Sequence, residues 1–459
     1  MAGSLSLYQP RHSRYGAYLS RLEVQALTAL HAFPLLHCRG PAAGTTSAFL
    51  HAICREEILD RLASMPLLKR KLVLFAWSPA MVLWGLGLTL ANGAYVARRY
   101  KRGMVGQFVD QMRLAFTQGI PVNFFYTYEL HERRNRLRAQ DYVLRGHIKG
   151  GCQLYKRLYR DDPARRTNAR ILNDKLAFHQ FCSDRQLPTA RLFAVVSNGT
   201  FTWTDPAQTR LACTGLFLKP RKENGGSGAE RWTLSEGRYH RHGHNSMLSA
   251  QELTDRIAKL SRTQAYLVYE CLANHPDISD LSGGALCTLR LHTMLNEQDR
   301  PEHLFTMFRM PQFRERIVDT QDGIAAAVDP LTGTLGPASN SSPVARWMDH
   351  HPVTKGRITG RTIPFWREAL ALALATHAEL KALYLIGWDV AITARGPVIL
   401  EANKSPDVEI EQRLDGPWGS SRFGQLIMHH LTQARQPSAK SCVRKNDSNR
   451  SRKSWLTAT

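Results

Sequence analysis

The period of apolar and polar positions changes along this chain, and each change marks a different kind of element. Up to residue 65 the pattern is irregular, and "REEILDRLASM" at 55–65 is the clearest helical stretch. From Leu72 to Ala97 no charged residue occurs, and basic clusters stand on both sides, "KRK" at 69–71 and "RRYKR" at 98–102. That run exceeds the roughly 20 residues that cross a bilayer core. Three arrangements fit it. They are a spanning helix, a monotopic segment broken at Ser78-Pro79 with its Lys/Arg flanks on anionic lipid, and a buried helical hairpin. Orientation by basic residues would favour 98–102 on the cytoplasmic side, but the cluster at 69–71 opposes a simple span. The expectation is membrane association with no committed crossing. Residues 103–170 read as helical and linker-like: Phe108, Met112, Ala115 and Phe116 fall near helical spacing, and "YELHERRNRLRAQDYV" reads as a solvated helix.

From residue 171 the texture turns to short strands with a few helices. "NDKLAFHQFCSDRQL" has an Asn/Asp helix start, and "PTARLFAVV" reads as a strand ending at a turn at Asn198-Gly199. Further strands are predicted at 212–218, 231–234, 265–271, 286–294, 303–308, 384–392 and 397–402, with helices at 249–260 and 365–381. This interleaving predicts α+β layers built on antiparallel sheets and opposes a doubly wound parallel sheet. The expected organisation is an N-terminal region over 1–102, a helical linker over 103–170, an α+β domain over 171–432 and a basic disordered tail over 433–459.

Composition narrows the partners. With 61 Lys and Arg against 38 Asp and Glu among 459 residues, the net charge of +23 favours nucleotides, nucleic acid, acidic lipid or acidic polymer. The basic residues are spread and not interleaved with aromatics, so nucleic acid is not expected. Eight cysteines form no CxxC and no metal-ligand spacing, which reads as reduced thiols in a cytosolic compartment. The first thirty residues show no continuous apolar core of a signal peptide.

Candidate chemistry begins with "GWDVAITARGPVILEANKSPD" at 387–407. "LYLIGWDVAIT" and "GPVILEAN" flank "ARG" as a hairpin. With Ala394-Arg395-Gly396 as the turn, Asp389 lies opposite Glu401 and Asn403 shares their face. Two carboxylates so close repel unless a cation lies between them, and an all-oxygen donor set suits a hard ion such as Mg²⁺. In "GLFLKPRKENGGSGAERW" a strand delivers Lys219, and Gly225, Gly226, Ser227 and Gly228 follow in a loop whose backbone is free to approach phosphate. No Walker lysine follows those glycines. "YLVYECL" is an apolar strand ending near Glu270. In "TLRLHT", Thr288, Arg290 and His292 share one face, where Arg290 suits a phosphate.

The ordered set of Lys175, Lys219, the glycine loop, Glu270, Arg290, Asp389 and Glu401-x-Asn403 resembles the ATP-grasp fold. It is most similar to the sugar-transfer-associated branch related to α-L-glutamate ligases. "HPDISDLSGGALCTLR", the His-Pro run beginning at 351, "IPFWREALALALATHAEL" and "GWDVAI…ILEAN" carry that likeness over about 170–430. The resemblance implies two α+β subdomains gripping ATP between antiparallel sheets. It implies Lys175 and Lys219 on the phosphates, residues 223–228 over the γ-phosphate, and Glu270, Cys271 and Leu272 on adenine. Asp277 or Asp280 would hold ribose, Arg290 the transferred phosphoryl, and Asp389, Glu401 and Asn403 two Mg²⁺ or Mn²⁺ ions. The implied activity is an ATP- and Mg²⁺-dependent carboxylate–amine ligase of amino-acid or glutamate type working through an acyl phosphate. Its substrate would be a cell-envelope or exopolysaccharide precursor, met in the cytoplasm at the inner face of the membrane. Two alternatives stay open: a phosphotransferase of the same fold, and a basic membrane- or nucleic-acid-binding module with a degenerate nucleotide site.

Overall fold

A computed structural model describes residues 40–148, 154–158, 169–208, 210–211, 213–222, 228–312, 323–380 and 383–435. Gly225, Gly226 and Ser227, and most of the predicted basic tail, lie outside the described residues. The chain divides into two compact units, one from Met1–Phe125 and Leu130–Leu154, the other from Tyr126–Glu129 and Tyr155–Thr459.

In the first unit, helix α1 (Thr46–Ala63) starts where the Thr45 side chain accepts from the Ala48 N–H, and it buries Leu50, Ile53, Cys54 and Ile58. Helix α2 (Leu67–Tyr100) runs unbroken for 34 residues with Pro79 inside it. The expected break at Ser78-Pro79 is therefore absent: the proline removes one hydrogen bond of the ladder without ending the helix. Lys101, in a left-handed conformation, ends α2 and turns the chain into α3 (Met104–Gln118). The residues expected to begin a linker thus pack back on α2, with Trp77 edge-on to Phe116 and Gln111 donating to the Thr89 hydroxyl at 2.7 Å. Gly85 and Gly93 permit this approach. A Cβ at Gly85 would stand 2.6 Å from the Met112 side chain, and one at Gly93 3.3 Å from the Gln107 amide oxygen. Among the described residues of α2, one stripe is covered, through Trp77, Met81, Gly85, Thr89, Gly93 and Val96. Phe75–Tyr100 is long and apolar enough to cross a membrane, with a hydropathy of 1.4, and 28% of its 18-residue apolar window is buried. Of the expected buried helical hairpin, the hairpin of α2 and α3 forms, but among the described residues Phe75, Leu83 and Leu90 leave its outer face exposed.

The second unit is built on two seven-stranded sheets. The first has the order β2-β1-β7-β3-β4-β5-β6, from β1 (Leu192–Ser197), β2 (Thr200–Trp203), β3 (Gly215–Pro220), β4 (Glu230–Ser235), β5 (Arg238–Arg241), β6 (Met247–Leu248) and β7 (Tyr266–Glu270). The second has the order β12-β11-β10-β9-β8-β13-β14, from β8 (Thr288–Leu295), β9 (Pro301–Pro311), β10 (Gly323–Val328), β11 (Leu335–Asn340), β12 (Trp347–Met348), β13 (Leu385–Thr393) and β14 (Gly396–Asn403). Every strand pairing in both sheets is antiparallel, as expected. Helix α4 (Lys175–Asp184) precedes the first sheet. Helix α5 (Ala250–Leu260) opens with a Ser249/Glu252 capping box and drives Leu253 and Ile257 into a core with Trp232 and Tyr239. Helix α6 (Trp366–Glu379) packs on the second sheet.

The sheets meet through Leu192, Leu267 and Tyr269 of the first and Ala391 and Val398 of the second. The Thr189–Ile399 bridge and the Ile399 N–H donating to Pro188 O tie β14 to the entry of β1. Helix α7 (Glu409–Asp415) packs on β9 and β10, and α8 (Arg422–Arg435) follows it. Tyr126–Glu129 is stitched into this unit. Arg413 Nε donates to Thr127 O at 2.8 Å, Gln412 to the Tyr128 hydroxyl at 3.3 Å, and Trp347 Nε1 to the Glu129 carboxylate at 3.1 Å.

Candidate active site

The β13–β14 hairpin turns through two residues, not three. Thr393 pairs with Gly396 across Ala394-Arg395, and on that count Asp389 would face Leu400. A register shift between Asp389 and Val390 leaves Leu400 as the extra residue and brings Asp389 opposite Glu401. The expected facing pair is present, but a tight turn plus a bulge produces it, not symmetry about Arg395. Asn403 pairs with Gly387 and shares the Glu401 face by strand alternation.

On the other side of β13, β8 places Arg290 directly beside Asp389. Arg290 forks onto it, Nε to Oδ1 at 2.6 Å and Nη2 to Oδ2 at 2.9 Å, and Arg309 Nη1 stands 3.7 Å from Oδ1. Each carboxylate oxygen carries two lone pairs, so this fork leaves acceptor capacity on both. Arg290 is held charged against its burial by Asp389 and, at longer range, Glu411 and Glu401.

From the first sheet, β3 sends Lys219 across. Its Nζ donates to the carbonyl of the bulge residue Leu400 at 3.4 Å and lies 4.8 Å from the centre of the Tyr269 ring. Burial pushes the ammonium pKa down; Glu401 and Asp389 oppose that shift, and Lys175 adds to it. Lys175 is the first residue of α4, and its position is set by Asp174, which caps the helix through the Leu176 and Ala177 N–H groups. Asp174 also takes a fork from Arg221, two residues after Lys219, at 2.6–2.9 Å. The segments carrying Lys175 and Lys219 are thereby tied to one another, a role for Asp174 and Arg221 that their ordinary sequence context conceals.

Around the inter-sheet apolar contact, Glu270 accepts from the Arg191 N–H at 2.9 Å and pairs with Arg395 at 3.1 Å. Cys271 Sγ accepts from Arg231 Nε at 3.2 Å, and Leu272 is buried among the inter-sheet residues. Asp277 is mostly exposed on the turn Pro276–Ser279, while Arg361 binds its carbonyl and forks onto Asp280 at 2.9–3.0 Å. Gly228 has φ +73°, and a Cβ there would stand 3.0 Å from the Pro220 ring, so the loop's described end requires glycine.

Two buried groups stand behind Arg290: strand alternation already puts His292 on its face, whereas Glu411 escapes sequence reasoning. His292, two positions beyond Arg290 on the same strand face, is fully buried with Nε2 3.6 Å from Glu411 of α7. Burial, with the neighbouring Asp407 charge, pushes the Glu411 carboxyl up to about 8; Arg290 and Arg309 act in the opposite direction.

Among the described residues no group of three or more His, Cys, Asp or Glu side chains is placed to hold a metal. The expected set is two carboxylates and an amide, Asp389, Glu401 and Asn403. Such a hard-oxygen set fits a divalent ion whose remaining positions are taken by phosphate and water.

The sequence model described as sugar-transfer associated ATP-grasp matches residues 154–417. Among solved structures, the chain is similar to D-alanyl-alanine synthetase A from Vibrio cholerae O1 biovar eltor str. N16961, at 10% identity and a TM-score of 0.35, covering 57% of this chain and 65% of that one. It is similar to D-alanine–D-alanine ligase from Bacillus anthracis complexed with ATP, at 10% identity and a TM-score of 0.34, covering 60% and 68%. It is also similar to the ATP-grasp ligase PsnB complexed with minimal precursor, Mg and ADP, at 14% identity and a TM-score of 0.30, covering 60% and 62%. The chain therefore spans less than two thirds of the length of the Vibrio cholerae and PsnB enzymes. No curated protein matches it.

Proposed function

The chain belongs to the sugar-transfer associated ATP-grasp family, and from that premise we propose that it is an ATP- and Mg²⁺-dependent carboxylate–amine ligase. The observation that carries the reading is the convergence of Lys219, Arg290, Asp389 and Glu401, drawn from both sheets onto one place.

In this mechanism an oxygen of the substrate carboxylate attacks the γ-phosphorus of ATP. ADP leaves and an acyl phosphate forms. An amine then attacks the acyl carbon, phosphate departs, and a C–N bond remains. Lys219 and Lys175 bind the phosphates of ATP, and the 223–228 loop covers them. Glu270, Cys271 and Leu272 line the adenine end, and Asp277 reaches ribose. Arg290, held in place by its fork onto Asp389, stabilises the phosphoryl group in transfer and the acyl-phosphate intermediate. Asp389, Glu401 and Asn403 would hold Mg²⁺, or Mn²⁺, which when bound offsets charge on the phosphate oxygens.

The donor is an amino-acid or glutamate-type amine, and the acceptor is a cell-envelope or exopolysaccharide precursor. ATP use suits the cytoplasm, and the apolar run 72–97 between basic clusters suits the inner face of the membrane. The domain limits proposed for this activity are 171–432 for the catalytic part, 1–102 and 103–170 before it, and the basic tail 433–459 after it.

Incubation with ATP, Mg²⁺, candidate carboxylates and hydroxylamine tests the reading. A hydroxamate forming with stoichiometric phosphate release, and lost in Arg290→Ala, is expected. Transfer of phosphate to a hydroxyl acceptor with no hydroxamate would make the protein a phosphotransferase instead.

A further inference from the structure

We propose that α2 is a monotopic lipid anchor, lying in the plane of an anionic membrane surface with its outward apolar face in the headgroup–acyl boundary and its other face on α3. The inference rests on the membrane location in the reading above and names how the membrane is met.

The outward face of α2 carries Phe75, Leu83, Leu86 and Leu90, which are 82%, 70%, 45% and 65% exposed. α3 turns Val105 and Val109 outward as well. Large aliphatic and aromatic side chains exposed at helical spacing along the whole length of a helix form an interaction face.

Charge selects the occupant. From 61 to 109 the sequence has eight Lys or Arg, at 61, 69, 70, 71, 98, 99, 101 and 102, and no Asp or Glu. Lys71, Arg98, Arg99 and Lys101 are exposed at the two ends of the apolar run. Apolar face between basic ends is the pattern that anionic lipid attracts. A second copy of this chain would bring the same positive ends together.

Geometry opposes a crossing. The covered stripe extends from Trp77 to Val96, nearly the whole apolar run, and α3 lies along it. α3 holds Gln107, Asp110 and Gln111 on its covered side, and Asp110 pairs with Arg102 at 2.6 Å and Arg136 at 3.3 Å. Arg113 projects outward from the same helix. A hydrocarbon slab surrounding α2 would hold these charges at bilayer depth, where ionised side chains are costly. Contact along one face leaves them in water.

The experiment uses the full-length protein and vesicles of phosphatidylcholine with and without about one third phosphatidylglycerol. Flotation with the anionic vesicles alone is expected. Leu83→Asp/Leu86→Asp/Leu90→Asp should lower the floated fraction about tenfold or more while ATP binding is unchanged. An N-terminal tag should resist protease added outside right-side-out membrane vesicles. Cleavage of that tag would establish a span and overturn the proposal. So would loss of self-association in the triple variant with flotation intact, which would assign the face to a second copy. Absence of flotation for a protein that still fractionates with cell membranes would overturn lipid docking and leave the membrane location standing. Hydroxamate formation without vesicles tests the ligase reading separately.

Discussion

Replacing Glu411 with glutamine isolates the cost of keeping a carboxyl behind the arginine pair. In the folded protein that carboxyl titrates at about 8, against an ordinary glutamate value of 4.5. The folded state therefore retains a proton that the unfolded chain has released. A raised carboxyl pKa contributes stability that is fully present below 4.5 and is lost as pH rises toward 8. Each pH unit inside that window removes about 1.4 kcal/mol, so the loss reaches about 3 kcal/mol at neutral pH. Glutamine cannot lose a proton and fills nearly the same space. Glu411→Gln should therefore match the wild type near pH 4.5 and gain on it by about 2–3 kcal/mol between pH 5 and pH 7. Hydrogen exchange at the β8 and β13 amides reports opening of this sheet by itself, and comparison at each pH cancels the intrinsic exchange rate. Parallel stability curves for the two proteins would refute the reasoning, because Glu411 would then be ionised like an exposed glutamate.

Three other outcomes are expected. Lys219→Met should weaken ATP binding about tenfold or more while leaving the fold intact, since methionine keeps the stem packed beside Tyr269 and removes only the charge; isothermal titration with an ATP analogue checks it. Glu401→Gln should weaken Mn²⁺ binding by at least about tenfold with nucleotide affinity in the absence of metal unchanged, as read by electron paramagnetic resonance of the free ion; equal Mn²⁺ affinity would remove Glu401 from the ion site. Gly387→Ala should cost about 1–3 kcal/mol and lower activity more than stability explains, because its Cβ would stand 2.7 Å from Pro406 and push the segment after Asn403 outward; urea denaturation together with turnover measures both.

The parts of this fold legible in sequence are those with a local cause. Apolar runs flanking "ARG" mark β13 and β14, and Asp174 before Lys175 marks the start of α4. The alternation in "TLRLHT" places Arg290 on the site face, where the register with Asp389 puts it. What sequence reasoning loses is tertiary. "GIAAAV" is β10, yet alanine has little strand preference and the segment becomes a strand through β9 and β11 on either side. "EIEQRLD" is mostly polar, and nothing in it marks a buried helix, yet packing on β9 and β10 buries Glu411 to 2% exposure. The bulge at Leu400 leaves no mark in composition, which is why a symmetric turn predicts the right pair by the wrong route.

The four-residue stitch Tyr126–Glu129 bears on how the polypeptide is made. Thr127 leaves the ribosome 286 residues before Arg413, the side chain that binds its carbonyl. At roughly 5–20 residues per second, that interval is on the order of tens of seconds. During it the first unit is complete, and the segment waits for partners that do not yet exist. The second unit therefore closes last and across a long loop, at an entropic cost that grows only slowly with length. A nick between residues 129 and 155 would convert this closure from an intramolecular step into a bimolecular one, and refolding of the cleaved protein should become concentration-dependent.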